Sequence, residues 1–149
     1  MRAVIQRASR ARVLVGGDTV GEIGAGLLVL IGVAGDDGPA DVAYVAGKVR
    51  ELRVFDDDAG KMNRALADVA GSVLAVSQFT LYGDTRKGRR PSFDGAAPAE
   101  TGRVLFDAVV AELRAAGVHV ETGTYGAHMQ VELVNDGPVT ILVDSRKGF

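Results

Sequence analysis

The pattern of apolar positions predicts a chain built mainly from strands. Residues 2–15 alternate small or apolar side chains with polar ones, which is typical of a strand with one covered face. Apolar runs at 19–23 and 27–33 predict two more strands, and the Gly-Gly-Asp sequence at 16–18 predicts a hairpin turn. Val73–Val76 is a continuous apolar run, as expected where both faces of a strand are covered. We therefore expect this last segment to be buried.

Two amphipathic helices are predicted between the strands. The first begins at Pro39 and places apolar residues at helical spacing: Val42, Val45, Val49 and Leu52. The second runs from Pro98 to Ala116 and ends at Gly117. This order predicts a β-rich α+β fold of about seven or eight mostly antiparallel strands, in sheets packed together with both helices on one outer face. No repeat or linker interrupts residues 1–149, so a single domain is expected.

Polar side chains follow the buried strand directly at its end. Period-two alternation places Gln78 and Thr80 on one face, and the opposite face then carries Ser77, Phe79 and Leu81. Backbone N–H groups around Ser77, Gln78 and Phe79 are candidates to stabilise an oxyanion, since the end of a strand leaves donors unpaired. Thr80 is a candidate nucleophile, although its hydroxyl needs an activating base and none is visible in the sequence. Ordinary strand-end hydroxyls bonded to the backbone are the alternative interpretation of Ser77 and Thr80.

A basic loop comes next in the chain. Its four cationic residues are Arg86, Lys87, Arg89 and Arg90. The net charge of −2 excludes a protein coated in basic surface, so any contact with nucleic acid must be local, and we expect it at this loop. A solvated surface loop is the alternative. Aromatic residues make up 5% of the chain, without tryptophan, which argues against a stacking platform for single strands.

The first predicted strand carries an arginine on its apolar face. Alternation places Arg7 and Ser9 on the same side as Ala3, Ile5, Ala11 and Val13. An isolated buried charge is costly, so Arg7 is predicted to donate to carbonyls or to a carboxylate. A purely structural ion pair and a role in the site both stay open for it.

The C-terminal part is predicted to hold two strands joined by a turn. Alternation turns Met129 inward and His128 outward on the earlier strand. The chain is then predicted to turn through Asn135–Pro138 and to finish with a strand at Val139–Asp144.

The composition excludes several kinds of site. The chain has no cysteine, which rules out disulfides and thiolate chemistry, and two histidines, so a zinc site would take most of its ligands from carboxylates. We expect no metal and no cofactor. Because nothing places His119 near Ser77 or Thr80, a Ser-His-Asp triad is not expected. No segment has the length of a signal-peptide core or a membrane span, so we expect a cytoplasmic protein without membrane contact.

Two short segments resemble the signature motifs of a known family. Ser77–Leu81 (SQFTL) and Gly137–Thr140 (GPVT) closely resemble the two motifs of the D-aminoacyl-tRNA deacylases. The resemblance covers essentially the whole chain, from Arg2–Arg7 (RAVIQR) through Gly60–Asn63 (GKMN) to the last strand. It implies an enzyme that hydrolyses the ester between a D-amino acid, or mischarged glycine, and the terminal adenosine of tRNA, while sparing L-aminoacyl-tRNA.

The resemblance also assigns roles to the candidate residues. The catalytic set is Ser77, Gln78, Phe79 and Thr80; the substrate-binding set is Gly137, Pro138, Arg7 and Met129; the tRNA-binding set is Arg86, Lys87, Arg89 and Arg90. Members of the family are homodimers in which a cis Gly-Pro pair reaches into the partner's pocket and the arginine matching Arg7 supports it. The 2′-hydroxyl of the terminal adenosine assists water in the family mechanism, and a direct attack by Thr80 stays open beside it. Neither DNA nor a membrane is implied as a partner.

Two other functions stay open from the residues alone. One is a small-molecule esterase or amidase with Thr80 as its nucleophile. The other is a non-catalytic RNA-binding module that uses the basic loop, although the acidic balance of the chain disfavours it.

Overall fold

The computed structural model describes all 149 residues. Eight strands form, in chain order β1 (Arg2–Val15), β2 (Asp18–Ile23), β3 (Gly26–Gly32), β4 (Phe55–Asp56), β5 (Met62–Arg64), β6 (Ser72–Ser77), β7 (Val120–Thr122) and β8 (Gln130–Asp144). The helices are α1 (Pro39–Glu51) and α2 (Ala99–Ala115), with two 3₁₀ helices at Leu66–Val69 and Phe79–Tyr82. The predicted β-rich α+β fold is confirmed, and the two helices follow the third and the sixth strand. Neither α-helix combines the length and the apolar character that crossing a membrane requires.

β1 is the strand around which the main sheet is organised. Along one edge it pairs antiparallel with β3 from Arg2 to Ala8, and then with β2 from Ala11 to Val15. Along the other edge it pairs antiparallel with β8 over nearly its whole length. Both edges of β1 are therefore used, which satisfies its backbone donors and acceptors inside the sheet.

The sheet continues from β3 through two parallel pairs, β3 with β6 and β6 with β7. The other four strand pairs are antiparallel, as predicted for most of the sheet. The six-stranded sheet curls until β2 lies close to β7. At this contact a Cβ atom on Gly21 would lie 2.3 Å from the carbonyl oxygen of Thr122, so only glycine fits.

Two apolar clusters cover the two faces of the curled sheet. The larger, of 22 buried residues, packs the sheet against both helices. The smaller fills the inside of the curl with Ala8, Ala11, Val13, Ile23, Leu28, Leu74 and Val76. β6 gives Val73 and Ala75 to the first cluster and Leu74 and Val76 to the second, because successive side chains of a strand point to opposite faces. The prediction that both faces of this strand are covered is confirmed.

The end of β6 differs from the sequence prediction. The strand ends at Ser77, and Phe79–Tyr82 forms a 3₁₀ helix instead of continuing the alternation. The N–H of Gln78 donates to the carbonyl of Ile31 at 2.8 Å, and the N–H of Leu81 then donates back to the carbonyl of Gln78 at 3.2 Å, which turns the chain. The assignment of Gln78 and Thr80 to one strand face is therefore wrong, since a 3₁₀ helix repeats every three residues.

Two other predicted details are corrected by the pairing of β1 with β8. A turn was predicted at Asn135–Pro138, but β8 runs through this segment, and Asn135 pairs with Ala8 while Thr140 pairs with Gln6, so Asp136–Val139 form a wide bulge outside the ladder. Register shifts beside Ala8 bury that residue and expose Ser9, which alternation had placed inward. A bulge changes the phase of a strand without changing its apolar content, so a period-two pattern does not reveal it.

Gly21 supplies a test of the curled sheet. Replacing it with alanine forces a Cβ atom against the backbone of Thr122, so we expect Gly21→Ala to lower the free energy of unfolding by about 1–3 kcal/mol. Gly24→Ala is the matched control, because a Cβ atom at Gly24 meets no other atom within 4 Å. Urea denaturation of both variants measures the difference; equal stabilities would contradict the close contact of β2 and β7.

Candidate functional site

The carboxyl ends of three parallel strands meet at one edge of the curled sheet. β3, β6 and β7 run in the same direction and end at Gly32, Ser77 and Thr122. The 3₁₀ helix Phe79–Tyr82 follows β6 at this edge, and the loop 123–129 follows β7. Connections that converge beside a rigid sheet are a common place for a binding site.

A cavity of about 510 Å³ lies at this edge. It is lined by Ser77, Gln78 and Phe79, and Met129 contributes to the opposite wall. The structure thus brings together four of the residues singled out in the sequence. Eight of the twelve lining residues are hydrophobic, and an apolar concavity with a few polar groups is typical of a small-molecule site.

Tyr125 is a wall residue that the sequence analysis missed. Its hydroxyl donates to the carbonyl of Ala99 at 2.9 Å, and its ring lies 6.0 Å from that of Phe106, centroid to centroid. The loop after β7 is thereby tied to α2. A Cβ atom at Gly102 would lie 2.8 Å from the Tyr125 hydroxyl, so glycine makes room for it. Nothing in the spacing of the sequence connects this tyrosine with Ser77, because the contact is made only by the fold.

The two histidines lie in different surroundings. His128 is exposed, as predicted, but it also lines the cavity, which the prediction of an ordinary surface residue did not include. His119 lies beside the amino end of β6, whereas Ser77 is at the carboxyl end, and its ring pairs with Glu121 at 3.4 Å. No Ser-His-Asp arrangement forms. No group of three or more His, Asp or Glu side chains is placed to hold a metal ion.

The turn after β6 leaves two backbone donors without a partner inside the 3₁₀ helix, and one of them belongs to Phe79, which lines the cavity. The first N–H groups of a helix have no acceptor within it, and in this 3₁₀ helix they belong to Phe79 and Thr80. The N–H of Gln78, a predicted oxyanion donor, is instead engaged with Ile31. Of the three predicted oxyanion donors, Gln78 is therefore engaged and Phe79 stays available to a ligand, and the turn adds Thr80 as a donor that the sequence had not suggested.

Thr80 is exposed and does not line the cavity. Its hydroxyl oxygen accepts a hydrogen bond from the side-chain amide of Gln78. An amide donor cannot remove a proton, so this partner orients the threonine without activating it.

Arg7 is buried, with 8% of its surface exposed, and its guanidinium joins three segments. Its Nη1 donates to the carbonyl of Val54 at 2.8 Å and to Asp56 at 3.3 Å, at the base of the β4–β5 hairpin. Its Nε donates to the carbonyl of Asp136 at 3.1 Å and lies 3.4 Å from the carboxylate of that residue. The prediction that Arg7 donates to carbonyls and a carboxylate is confirmed, and one of these partners precedes Gly137 directly.

Gly137 and Pro138 are joined by a cis peptide bond. Gly137 has a φ of +125°, and a Cβ atom there would lie 2.9 Å from Val139 Cγ2 and 3.1 Å from Arg7 Nη2. Both the conformation and the crowding require glycine. The pair is exposed on β8 and does not line the cavity, so the fold of the chain does not bring the two signature motifs together.

The basic loop is exposed over its whole length, but its cations are not equivalent. Arg86 donates from Nε and Nη2 to Asp84, at 2.9 and 2.6 Å. These hydrogen bonds hold the pKa of the Asp84 carboxyl well below its usual range and raise the pKa of the Arg86 guanidinium. Lys87, Arg89 and Arg90 have no carboxylate partner, so three of the four predicted cations are free to meet phosphates.

Sequence and structure comparisons agree on the relationship of the chain. A family model described as D-Tyr-tRNA(Tyr) deacylase matches residues 4–144. The D-aminoacyl-tRNA deacylase of Symbiobacterium thermophilum is 60% identical over 149 residues, which is 100% of this chain and 99% of that protein.

Two solved structures have the same fold. One, described as a c-Myc DNA unwinding element binding protein, has a TM-score of 0.91 and 38% identity, and the match covers 97% of this chain and 98% of that one. The other, described as a probable eukaryotic D-amino acid tRNA deacylase, has a TM-score of 0.81 and covers 95% of this chain and 97% of that one. At 21% identity the second supports the fold alone.

The match extends over nearly the whole chain and includes both signature segments. The first of these segments, Ser77–Leu81, contributes residues to the lining of the cavity. The chain therefore belongs to the D-Tyr-tRNA(Tyr) deacylase family and is a hydrolase that cleaves the ester bond of D-aminoacyl-tRNA.

Proposed function

We propose that this deacylase is a chiral proofreading enzyme whose site is completed by a second subunit. The observation that carries the proposal is the separation of the two motifs. Ser77–Phe79 lines the cavity, whereas Gly137 and Pro138 lie exposed on β8, outside it. In a homodimer with two-fold symmetry, the Gly137-Pro138 pair of each subunit enters the cavity of the other.

The surface of β8 supports this dimer. β8 is 15 residues long and has a strand partner on only one edge, an arrangement that natural proteins usually cover. Three of its apolar side chains are exposed by 36–58%, namely Val131, Val134 and Leu142. A second subunit would cover this surface and shield the unpaired edge.

Hydrolysis in this site relies on the backbone and on the RNA. Water attacks the ester carbonyl, the N–H groups of Phe79 and Thr80 donate to the oxygen that becomes negative, and the ester C–O bond breaks to release the ribose hydroxyl. The 2′-hydroxyl of the terminal adenosine assists the water. Thr80 accepts from the Gln78 amide and has no base beside it, so its role in this proposal is to support the turn.

Selectivity is proposed to come from the partner's Gly137-Pro138 backbone. Carbonyl oxygens of this pair hold the α-amino group of the substrate, and the position where an L side chain would point is filled. Exclusion of this kind discriminates strongly, whereas a pocket that prefers one methylene contributes only about 1–3 kcal/mol. An achiral glycine has no side chain to exclude and would also be removed from tRNA.

The basic loop is proposed to meet the acceptor end of the tRNA. Its three free cations, Lys87, Arg89 and Arg90, follow the 3₁₀ helix in sequence and are exposed to solvent. Because the substrate is a tRNA used in translation, we propose a cytoplasmic location for the enzyme.

Hydrolysis of D-tyrosyl-tRNA and L-tyrosyl-tRNA side by side, at low enzyme concentration, tests the proposal. We expect rapid loss of the D ester while the L ester stays intact. Thr80→Val, which removes the hydroxyl, should keep the rate for the D ester within about tenfold of wild type, because positioning without proton transfer is a modest contribution. Hydrolysis of both esters would contradict the chiral filter. Complete loss of activity in Thr80→Val would instead favour a threonine nucleophile. If the wild-type protein hydrolysed neither ester, a non-catalytic RNA-binding module would be favoured.

A mixed-subunit experiment tests whether Gly137 acts in the partner's site. Gly137→Ala strains the backbone and crowds Arg7, and Phe79→Pro removes one N–H donor, so each variant alone should lose about 100-fold or more in activity. Mixing equal amounts should restore about a quarter of the wild-type sites, because half of the dimers then hold one intact cavity facing one intact glycine.

Gly35→Ala is the control for that mixture, since a Cβ atom at Gly35 meets nothing within 4 Å. It should be fully active alone. An inactive mixture, measured after subunit exchange has been verified, would place Gly137 in the site of its own subunit and contradict the proposed arrangement.

The salt dependence of tRNA binding tests the role of the loop. With three free cations neutralising phosphates, the slope of log K against log salt should be about −2 to −3. Arg89→Ala should make the slope less steep by about 0.7–0.9, whereas Arg86→Ala should change it less because Asp84 already neutralises that charge. Arg53→Ala, an exposed arginine outside the loop, is the control. Equal effects of Arg89→Ala and Arg53→Ala would remove the loop from the interface.

A further inference from the structure

Two phenylalanine rings lie exposed at the mouth of the cavity. Phe79 lines the cavity and is 56% exposed, and Phe93 is 38% exposed. The rings meet edge to face, with centroids 5.2 Å apart and planes inclined by 74°. Large aromatic side chains are costly to leave in water, so an exposed pair beside a site points to a ligand that covers it.

The backbone around Phe93 holds its ring in a fixed position. Asp84 and Ser92 exchange two backbone hydrogen bonds, of 2.7 and 3.0 Å, which close the loop just before Phe93. The ring lies against Gly83, where a Cβ atom would come within 3.1 Å of the ring carbon Cε1. A ring presented in this way loses little conformational entropy when a ligand stacks on it.

The same loop carries the free cations. Lys87, Arg89 and Arg90 all lie between Asp84 and Ser92, the two residues that close it. One short segment thus presents positive charge and an aromatic ring next to the cavity. Proteins bind single-stranded nucleic acid with cationic side chains along its phosphate backbone and with aromatic side chains on which its bases stack.

We propose that Phe93, supported by Phe79, forms a stacking site for an unpaired nucleobase of the tRNA 3′ end. This inference rests on the proposed function, in which the cavity takes the aminoacylated terminal adenosine. The nucleotide before the terminal adenosine lies outside the cavity, beyond Phe79. Its base stacks on Phe93, and its phosphate faces the cationic loop. Stacking is tolerant of sequence because every base has a π-face, which suits an enzyme that serves more than one tRNA.

The low aromatic content of the chain had argued against such a platform. Composition counts rings over the whole chain, whereas a platform for one base needs only one or two of them in the right place. The fold supplies this by bringing Phe79 and Phe93, which are fourteen residues apart in the sequence, into contact.

The test compares two short substrates, the D-tyrosyl ester of adenosine alone and that of the trinucleotide CCA. Wild-type enzyme should prefer the trinucleotide in kcat/KM, with about tenfold of this preference due to one stacked base and the rest to phosphates at the cationic loop. Phe93→Ala should remove the tenfold part that stacking supplies, mainly through KM, and leave hydrolysis of the adenosine ester unchanged within about twofold. Phe93→Leu, which keeps an apolar side chain of similar bulk, should behave like Phe93→Ala, whereas Phe93→Trp should keep the preference.

Phe149→Ala is the matched control, because Phe149 is also an exposed phenylalanine, 65% exposed, and does not line the cavity. It should behave like wild type. The inference is overturned if Phe93→Leu keeps the wild-type preference, or if it slows both esters equally, which would mean damage to the turn. If wild-type enzyme hydrolyses neither D ester while folded and dimeric, the proposed function fails first, and the two failures are thereby distinguished.

Discussion

The pairing of β1 with three other strands is the constraint on which the rest of the structure depends. β3 and β2 share one edge of this strand, and β8 occupies the other. β2 follows β1 through a tight hairpin, and in the curled sheet its Gly21 lies against Thr122 of β7. The curl in turn creates an inner cluster of seven buried residues and gives β6 two covered faces. The cavity lies where the parallel part of this curled sheet ends.

A buried charge connects this framework with the exposed signature segment. Arg7 lies on β1, and its guanidinium finds partners on the β4–β5 hairpin and on Asp136. An unpaired arginine in this position would be expensive, so the three segments are held together by the need to satisfy one cation. Gly137 is crowded by the same guanidinium. The conformation of the Gly-Pro pair is therefore part of the packing around β1, although the pair lies at the surface of the chain.

Main-chain atoms dominate the chemistry proposed for the site. The donors at the end of β6 are backbone N–H groups, and the proposed filter for the amino acid is built from backbone carbonyls of a second subunit. Side chains of the cavity are mostly apolar, with Ser77, Gln78 and His128 as its polar members. In this proposal the site recognises what all D-aminoacyl esters share, and few of its contacts depend on the identity of the side chain. The proposed base-stacking site follows the same principle, since it recognises a nucleobase without reading its sequence.

Much of the fold and part of the site were predictable because they depend on local patterns. The apolar run Val73–Val76 identified the buried strand, and the inward position of Arg7 indicated a paired guanidinium. Local patterns failed where a contact between distant segments decided the outcome. The strand predicted beyond Ser77 is a 3₁₀ helix because the ladder with β3 ends at the bond from Gln78 to Ile31 and Leu81 then bonds back to Gln78. Where a turn was predicted at Asn135–Pro138, β8 instead bulges between two segments that both pair with β1. Tyr125 and the Phe79–Phe93 pair had no local signal at all.

The sequence by itself determined most of the strands, both helices, the family, and the residue types available for chemistry, because periodicity and short motifs are properties of neighbouring residues. The tertiary structure decided which backbone donors are free, which cations are already paired, and that the two signature motifs lie apart within one subunit. Those properties depend on hydrogen bonds and packing between segments that are far apart in the chain, and no spacing along the sequence encodes them directly.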